Sequence, residues 1–236
     1  MEKFPSALTP AAIPAEIAAE SLLKESADLH AAPRSYAIEM PRDIRAFANA
    51  MRNIARLPVE CSITFDRTRN ILVVETGELD GTVHLFLRLN PHARVPLNER
   101  LRTGPEVHLH PPQPTDWIKT TPSGFDWRTL YTISEHTNIN ESWILSPKGI
   151  TRFSFPHPEH NEKKYGELIL AFDRIPDSAY THGVPEDDPL NSEQQKIWEN
   201  LEYQAAKEVG GEIEIIPWEN EEEIEKELLK FLSHCK

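Results

Sequence analysis

Two histidines one residue apart, His108 and His110, stand directly before Pro111 and Pro112, and Asp126 follows sixteen positions after the second (126 − 110 = 16). Ser123 lies three residues ahead of that aspartate. Side chains at i and i+2 of a β-strand leave from the same face, so a strand through "EVHLH" aims both imidazoles at one point. Zinc takes imidazole nitrogens at about 2.0–2.1 Å, a demand that two rings on one face can meet. Pro111 ends the strand, so the pair sits where a third ligand and solvent can approach. Asp126, from the next element, can be that ligand, and three protein ligands leave a fourth position open, the pattern of a catalytic zinc. Each part also has a plainer reading. An H-x-H pair can face solvent or pack ring against ring, and Ser123 with Asp126 is a ready-made S-x-x-D helix cap. The cap and the ligand are compatible, because a capped helix start is a rigid base for a carboxylate.

The flanking elements must hold these groups in place. A helix is expected from "PRDIRAFANAMRNIARLP", with Ile44, Phe47, Met51 and Ile54 on one apolar stripe and Pro58 as its stop. Strands are expected at "VECSITFD", "NILVVET" and "GTVHLFLRL", then a proline-rich loop, then the short strand with the two histidines. After Ser123 come a helix, "DWRTLYTISEHT", two strands around a turn, "SWILSPKGITRFSF", and a further strand, "GELILAFDRI". Residues 176 to 190 have linker composition. Beyond them a helix closed by Gly210 and Gly211, a strand "EIEIIP" and a last helix "ENEEEIEKELLKFL" complete the chain. The organisation expected is an N-terminal arm, 1–36, a central α/β domain, 37–175, and a linker with a C-terminal helix–strand–helix extension, 176–236.

The 236 residues carry 25 Lys+Arg against 38 Asp+Glu, a formal charge of −13, which argues against a general nucleic-acid binder. Two cysteines, Cys61 and Cys235, cannot make a disulfide framework and fit a reducing compartment. There is no basic start followed by an unbroken apolar stretch, and nothing nears the roughly 18 apolar residues of a membrane span. A soluble, cytoplasmic protein is the expectation.

"HLHP" followed by "PSGFD" resembles the H-x-H-P…S-x-x-D motif of the JAMM (MPN-plus) zinc metallopeptidases, isopeptidases that cut ubiquitin-like modifiers from lysines. The flanks are similar too. Family members place a helix before a short strand bearing a catalytic glutamate, which matches Glu60 in "LPVE", and "SWILSPKGITRF" looks like the family's strand–turn–strand. The resemblance spans roughly residues 40 to 175. It implies an α/β, cytidine-deaminase-like sheet flanked by helices, with zinc held by His108, His110 and Asp126. It also implies that Glu60 acts as general base and acid toward the attacking water. Ser123 is similar to the family serine that donates to the tetrahedral oxyanion. A ubiquitin-like protein or peptide tail is the implied substrate.

The chain departs from the pattern at three points. Leu109 replaces a small polar residue, the loop before Ser123 is longer than usual, and the small-residue pattern after the glutamate is absent. Asp116 is therefore a rival third ligand. Glu75, in "ETGELDG" and 33 positions before His108 (108 − 75 = 33), rivals Glu60, which stands 48 before it (108 − 60 = 48). A catalytically silent MPN-type scaffold is the alternative function, and an unrelated α/β domain with coincidental motifs is the third. Among the remaining candidates, Cys61 reads as a buried strand residue rather than a nucleophile. His157 and His160 read as a solvated loop and His84 as a strand residue, while His136 falls in the helix after Asp126. Trp127 reads as core and Trp117 as a possible groove wall for an extended substrate tail.

Overall fold

The computed structural model describes residues 35–40, 43–57, 60–66, 70–76, 105–111, 120–136, 139–155, 162–175 and 192–234. They form seven strands, β1 (Ser35–Glu39), β2 (Cys61–Asp66), β3 (Ile71–Thr76), β4 (Glu106–Leu109), β5 (Glu141–Ser146), β6 (Gly149–Ser154) and β7 (Glu212–Pro217). Five helices accompany them: α1 (Ile44–Ile54), α2 (Gly124–His136), α3 (Glu162–Asp173), α4 (Ser192–Glu208) and α5 (Glu221–His234). The strands make one mixed sheet in the order β1-β3-β2-β4-β5-β6-β7. Only the β4–β5 pair is parallel. A parallel neighbour needs a crossover, and the segment carrying α2 makes it.

Alternation along the strands gives each face its own core. Ile63, Leu72, Val107, Leu109, Trp143, Leu145, Ile150 and Ile216 point to one side, where α1 and α5 cover them. There Phe47 of α1 meets Phe231 of α5 with ring centroids 5.8 Å apart, and Trp143 of β5 meets the same phenylalanine at 5.5 Å. On the other side Ile144 and Phe153 pack with Trp127 and Leu130 of α2, Leu168 and Phe172 of α3, and Ala205 and Ala206 of α4. Strand β5, central and covered on both faces, is buried from Ser142 through Ser146.

The expected helices and strands at 44–54, 61–66, 71–76, 106–109, 124–136, 141–154, 192–208, 212–217 and 221–234 are present. Asp43 caps α1 by accepting from the Arg45 amide at 2.7 Å. Gly210 adopts φ +83° just past α4, and the Gly211 amide donates back to the Ala206 carbonyl at 2.8 Å, closing the helix as its glycines suggest.

Two expectations are corrected. "GELILAFDRI" is not a strand; it lies in α3. A short apolar run does not distinguish strand from helix by itself. Here the buried residues are Leu168, Phe172 and Ile175, at helical spacing, while Leu170 is 57% exposed. The second correction concerns the arm. Its last residues, Ser35 and Tyr36, begin β1, which pairs with β3 as an edge strand. Residues 1–34, the strand expected at 81–89 and the linker at 176–190 lie outside the described residues.

The C-terminal helix–strand–helix shares the sheet and cores of the central part. Strand β7 pairs along all of β6, α5 seals the first core and α4 the second. Gly211 is held between α4 and Trp127, where an added Cβ would lie 2.9 Å from the indole tip and 3.1 Å from the Ala206 carbonyl. Gly211→Ala is expected to cost about 1–3 kcal/mol of stability, the usual penalty of overpacking, measurable by urea unfolding.

Candidate metal centre

Strand β4 carries the histidines as its pleat dictates. Val107 and Leu109 enter the core under α1 and α5, so His108 points to the opposite face, toward α2. His110 lies one residue past the strand, yet its amide still donates to the Leu145 carbonyl of β5 at 2.9 Å. That bond keeps the two imidazoles in step before Pro111. Their Nε2 atoms are 3.2 Å apart.

The third group arrives on the first turn of α2. Ser123 Oγ accepts from the Asp126 amide at 3.3 Å, while the Ser123 amide and hydroxyl donate to Asp126 Oδ2 at 2.6 and 2.7 Å. This is a reciprocal helix cap. It also fixes Oδ2 and leaves Oδ1 toward His108. Asp126 Oδ1 lies 3.2 Å from His108 Nε2, and Oδ2 lies 3.5 Å from His110 Nε2. The cap and the ligand reading hold together in one geometry.

His108, His110 and Asp126 form a group able to hold a metal ion. All three are buried, between 6% and 9% exposed. Burial alone would raise the Asp126 carboxyl. The charge and hydrogen bonds of His108, then of His110, outweigh it and hold the group well below the ordinary carboxylate range. A carboxylate favoured in its ionised form is what a metal ligand requires. The separations bear on the fit. Ligands at about 2.0–2.1 Å from a tetrahedral ion stand about 3.3 Å apart. His108 Nε2 lies 3.2 Å from both His110 Nε2 and Asp126 Oδ1, while the 3.5 Å contact of His110 is to the other oxygen, Oδ2. One ligand atom from each residue lies within 4.8 Å of the others.

The sheet register places the strands next to the two candidate bases. Strand β2 pairs with β4 through Ser62↔His108 and Ile63↔Val107, and Glu60 directly precedes β2 in the chain. Opposite residues of an antiparallel pair lie about 5 Å apart and share a face. Glu75 pairs with Ser62, one strand farther out and about 10 Å from the His108 position at the usual strand spacing. Cys61 points the other way, into the first core. Burial, with the Glu60 carboxylate adding, pushes its thiol far above the ordinary range, which makes it a packing residue.

Trp127 is fully buried, edge-on to Phe153 and Phe155 at 5.0 and 4.9 Å, and is core as expected. His136 ends α2, about 15 Å along the helix from Asp126 at the standard rise. Asp116, Trp117, His84, His157 and His160 lie outside the described residues. The reading from sequence missed the residues that hold the Ser123 loop. The Thr120 amide and hydroxyl donate to Glu199 Oε1 at 3.2 and 2.9 Å, and the Thr121 hydroxyl donates to Glu202. A signal for Glu202 existed, since it shares a helical stripe with Gln195, Trp198, Ala205 and Ala206, positions that turn inward.

Ser123→Ala removes the hydroxyl, which donates to Asp126 Oδ2 and accepts from the Asp126 amide, and leaves the Ser123 amide bond in place. It is expected to lower stability by about 0.5–2 kcal/mol and metal affinity about 10- to 100-fold, the usual cost of losing a ligand's hydrogen-bond partner. Chemical unfolding and competition with a chromogenic chelator check the two effects separately.

Comparison of the chain with models of known protein families, with curated proteins and with solved structures finds no match. No helix among the described residues is long and apolar enough to cross a membrane.

Proposed function

We propose that this chain is a zinc-dependent peptidase or isopeptidase of the JAMM class, acting on the tail of a ubiquitin-like protein or a related peptide. The observation that carries the reading is the gathering of His108, His110 and Asp126, one ligand atom from each within 4.8 Å of the others, a spacing that one metal ion can bridge. The pairing of β2, which Glu60 directly precedes, with the histidine strand supports it further. So does the order of motifs along the chain, a glutamate after a helix, H-x-H-P, then S-x-x-D.

A bound zinc ion supplies Lewis-acid polarisation and lowers the pKa of coordinated water from about 15.7 to about 7. The protein's own residues do the rest. The Glu60 carboxylate takes a proton from the attacking water and delivers it to the leaving amine as the C–N bond breaks. Asp126 stays ionised in a buried site, and Ser123 holds its orientation through Oδ2. The family resemblance assigns the same serine hydroxyl to the oxyanion, a role worth about 3–4 kcal/mol in comparable sites. To take it the hydroxyl turns from Asp126 Oδ2, which the Ser123 amide continues to hold.

The test is zinc content after reconstitution, together with hydrolysis of a ubiquitin-like fusion by the wild type. About one zinc per chain and turnover of the fusion are expected. Protein that stays metal-free in excess zinc would remove the reading.

A further inference from the structure

We propose that Glu199 and Glu202 of α4 are positioning residues for the metal centre, holding Thr120 and Thr121 so that Ser123 presents Asp126 to the two histidines. The inference rests on the metal reading of His108, His110 and Asp126 and extends it to the C-terminal part of the chain.

The loop before α2 is held at four of its groups. Thr120 gives both its amide and its hydroxyl to Glu199 Oε1, and its carbonyl accepts from Thr151 Oγ1 of β6 at 2.5 Å. Thr121 gives its hydroxyl to Glu202, whose other oxygen accepts from the Trp198 indole at 3.2 Å. Thr120, Thr121 and Glu202 are all buried, 4%, 2% and 2% exposed. Taking a carboxylate out of water is costly unless it is hydrogen-bonded, and an apolar contact would join helix to loop at less cost. What a carboxylate adds is direction. Glu199 and Glu202 are three apart on one helical face, so they hold two consecutive threonines at once. Only Pro122, with its fixed φ, separates Thr121 from Ser123, and Ser123 makes two bonds to Asp126 Oδ2. A shift at Thr121 is thereby passed to the ligand.

The test uses the full chain. Thr121→Val removes the hydroxyl at similar volume, and Thr121→Ser restores it. Zinc affinity is read by chelator competition. Exchange of the Ser123 amide, which donates to Asp126, is read on metal-free protein. Leu228→Ala, on the opposite face of the sheet, serves as a control for lost stability alone. Thr121→Val is expected to weaken zinc about 10-fold, the lower end for groups behind a metal ligand, and to speed Ser123 exchange, while Thr121→Ser stays near the wild type. Leu228→Ala should lower the melting temperature and leave zinc affinity unchanged. Wild-type affinity and wild-type Ser123 exchange in folded Thr121→Val overturn the proposal. A wild type that takes up no zinc overturns the metal reading instead, and Ser123 exchange then still decides whether the clamp orients Asp126.

Discussion

Replacing Glu60 by glutamine is expected to slow hydrolysis of a ubiquitin-like fusion by about 100- to 10,000-fold, the range that general acid–base groups contribute, while zinc content stays at that of the wild type. The amide keeps the size of the side chain and cannot take a proton from water at neutral pH. Glu60 directly precedes β2, the strand paired with the histidine strand, and is not among the three ligand residues, so metal loading and proton transfer separate cleanly. Glu75→Gln is the matched control. Its strand position lies beyond Ser62 from His108, and its activity is expected to stay within a few fold of the wild type. Steady-state kinetics on the two variants, each assayed for zinc, decide the matter. A fully active Glu60→Gln protein would leave the proposed mechanism without its base.

Asp126→Asn is expected to remove the zinc response of the fold. Zinc that binds the native state alone stabilises it by about 2.7 kcal/mol at a hundred times its Kd, or roughly 5–10 °C in melting temperature for a domain of this size. The asparagine can still accept from the Ser123 amide, so the start of α2 should persist. Its neutral side chain gives the cation no charge, and an amide nitrogen turned toward the imidazoles offers no ligand. Added zinc should therefore shift the wild type and leave the variant where it was, with a chelator reversing the wild-type shift. Equal shifts in the two proteins would show that zinc binds elsewhere.

Parts of this centre were legible in the chain because they depend on local geometry. The pleat puts His108 and His110 on one face whatever the rest of the fold does, and Leu109 falls into the opposite core as the alternation requires. The spacing of Ser123 and Asp126 specifies a helix cap, and the cap formed with both its reciprocal bonds. Helix α3 was misread because "LILAF" is apolar in both periods. Only packing against Trp127 and Phe153 selects Leu168 and Phe172 as its inner residues. Strand β1 was missed because an edge strand of five residues owes its existence to the β3 partner it pairs with.

What the amino-acid order determined by itself is the kind of chemistry on offer: two imidazoles on one strand face, a capped carboxylate, an acid after a helix. Tertiary structure alone decided that the two imidazoles and the carboxylate meet, and that α4 grips the loop between them. The reason is range. Pleat and cap are set within about four residues by bond geometry and neighbouring hydrogen bonds. The meeting of β2 with β4, and of Glu202 with a threonine 81 positions earlier, depends on how buried surface is shared across the whole sheet.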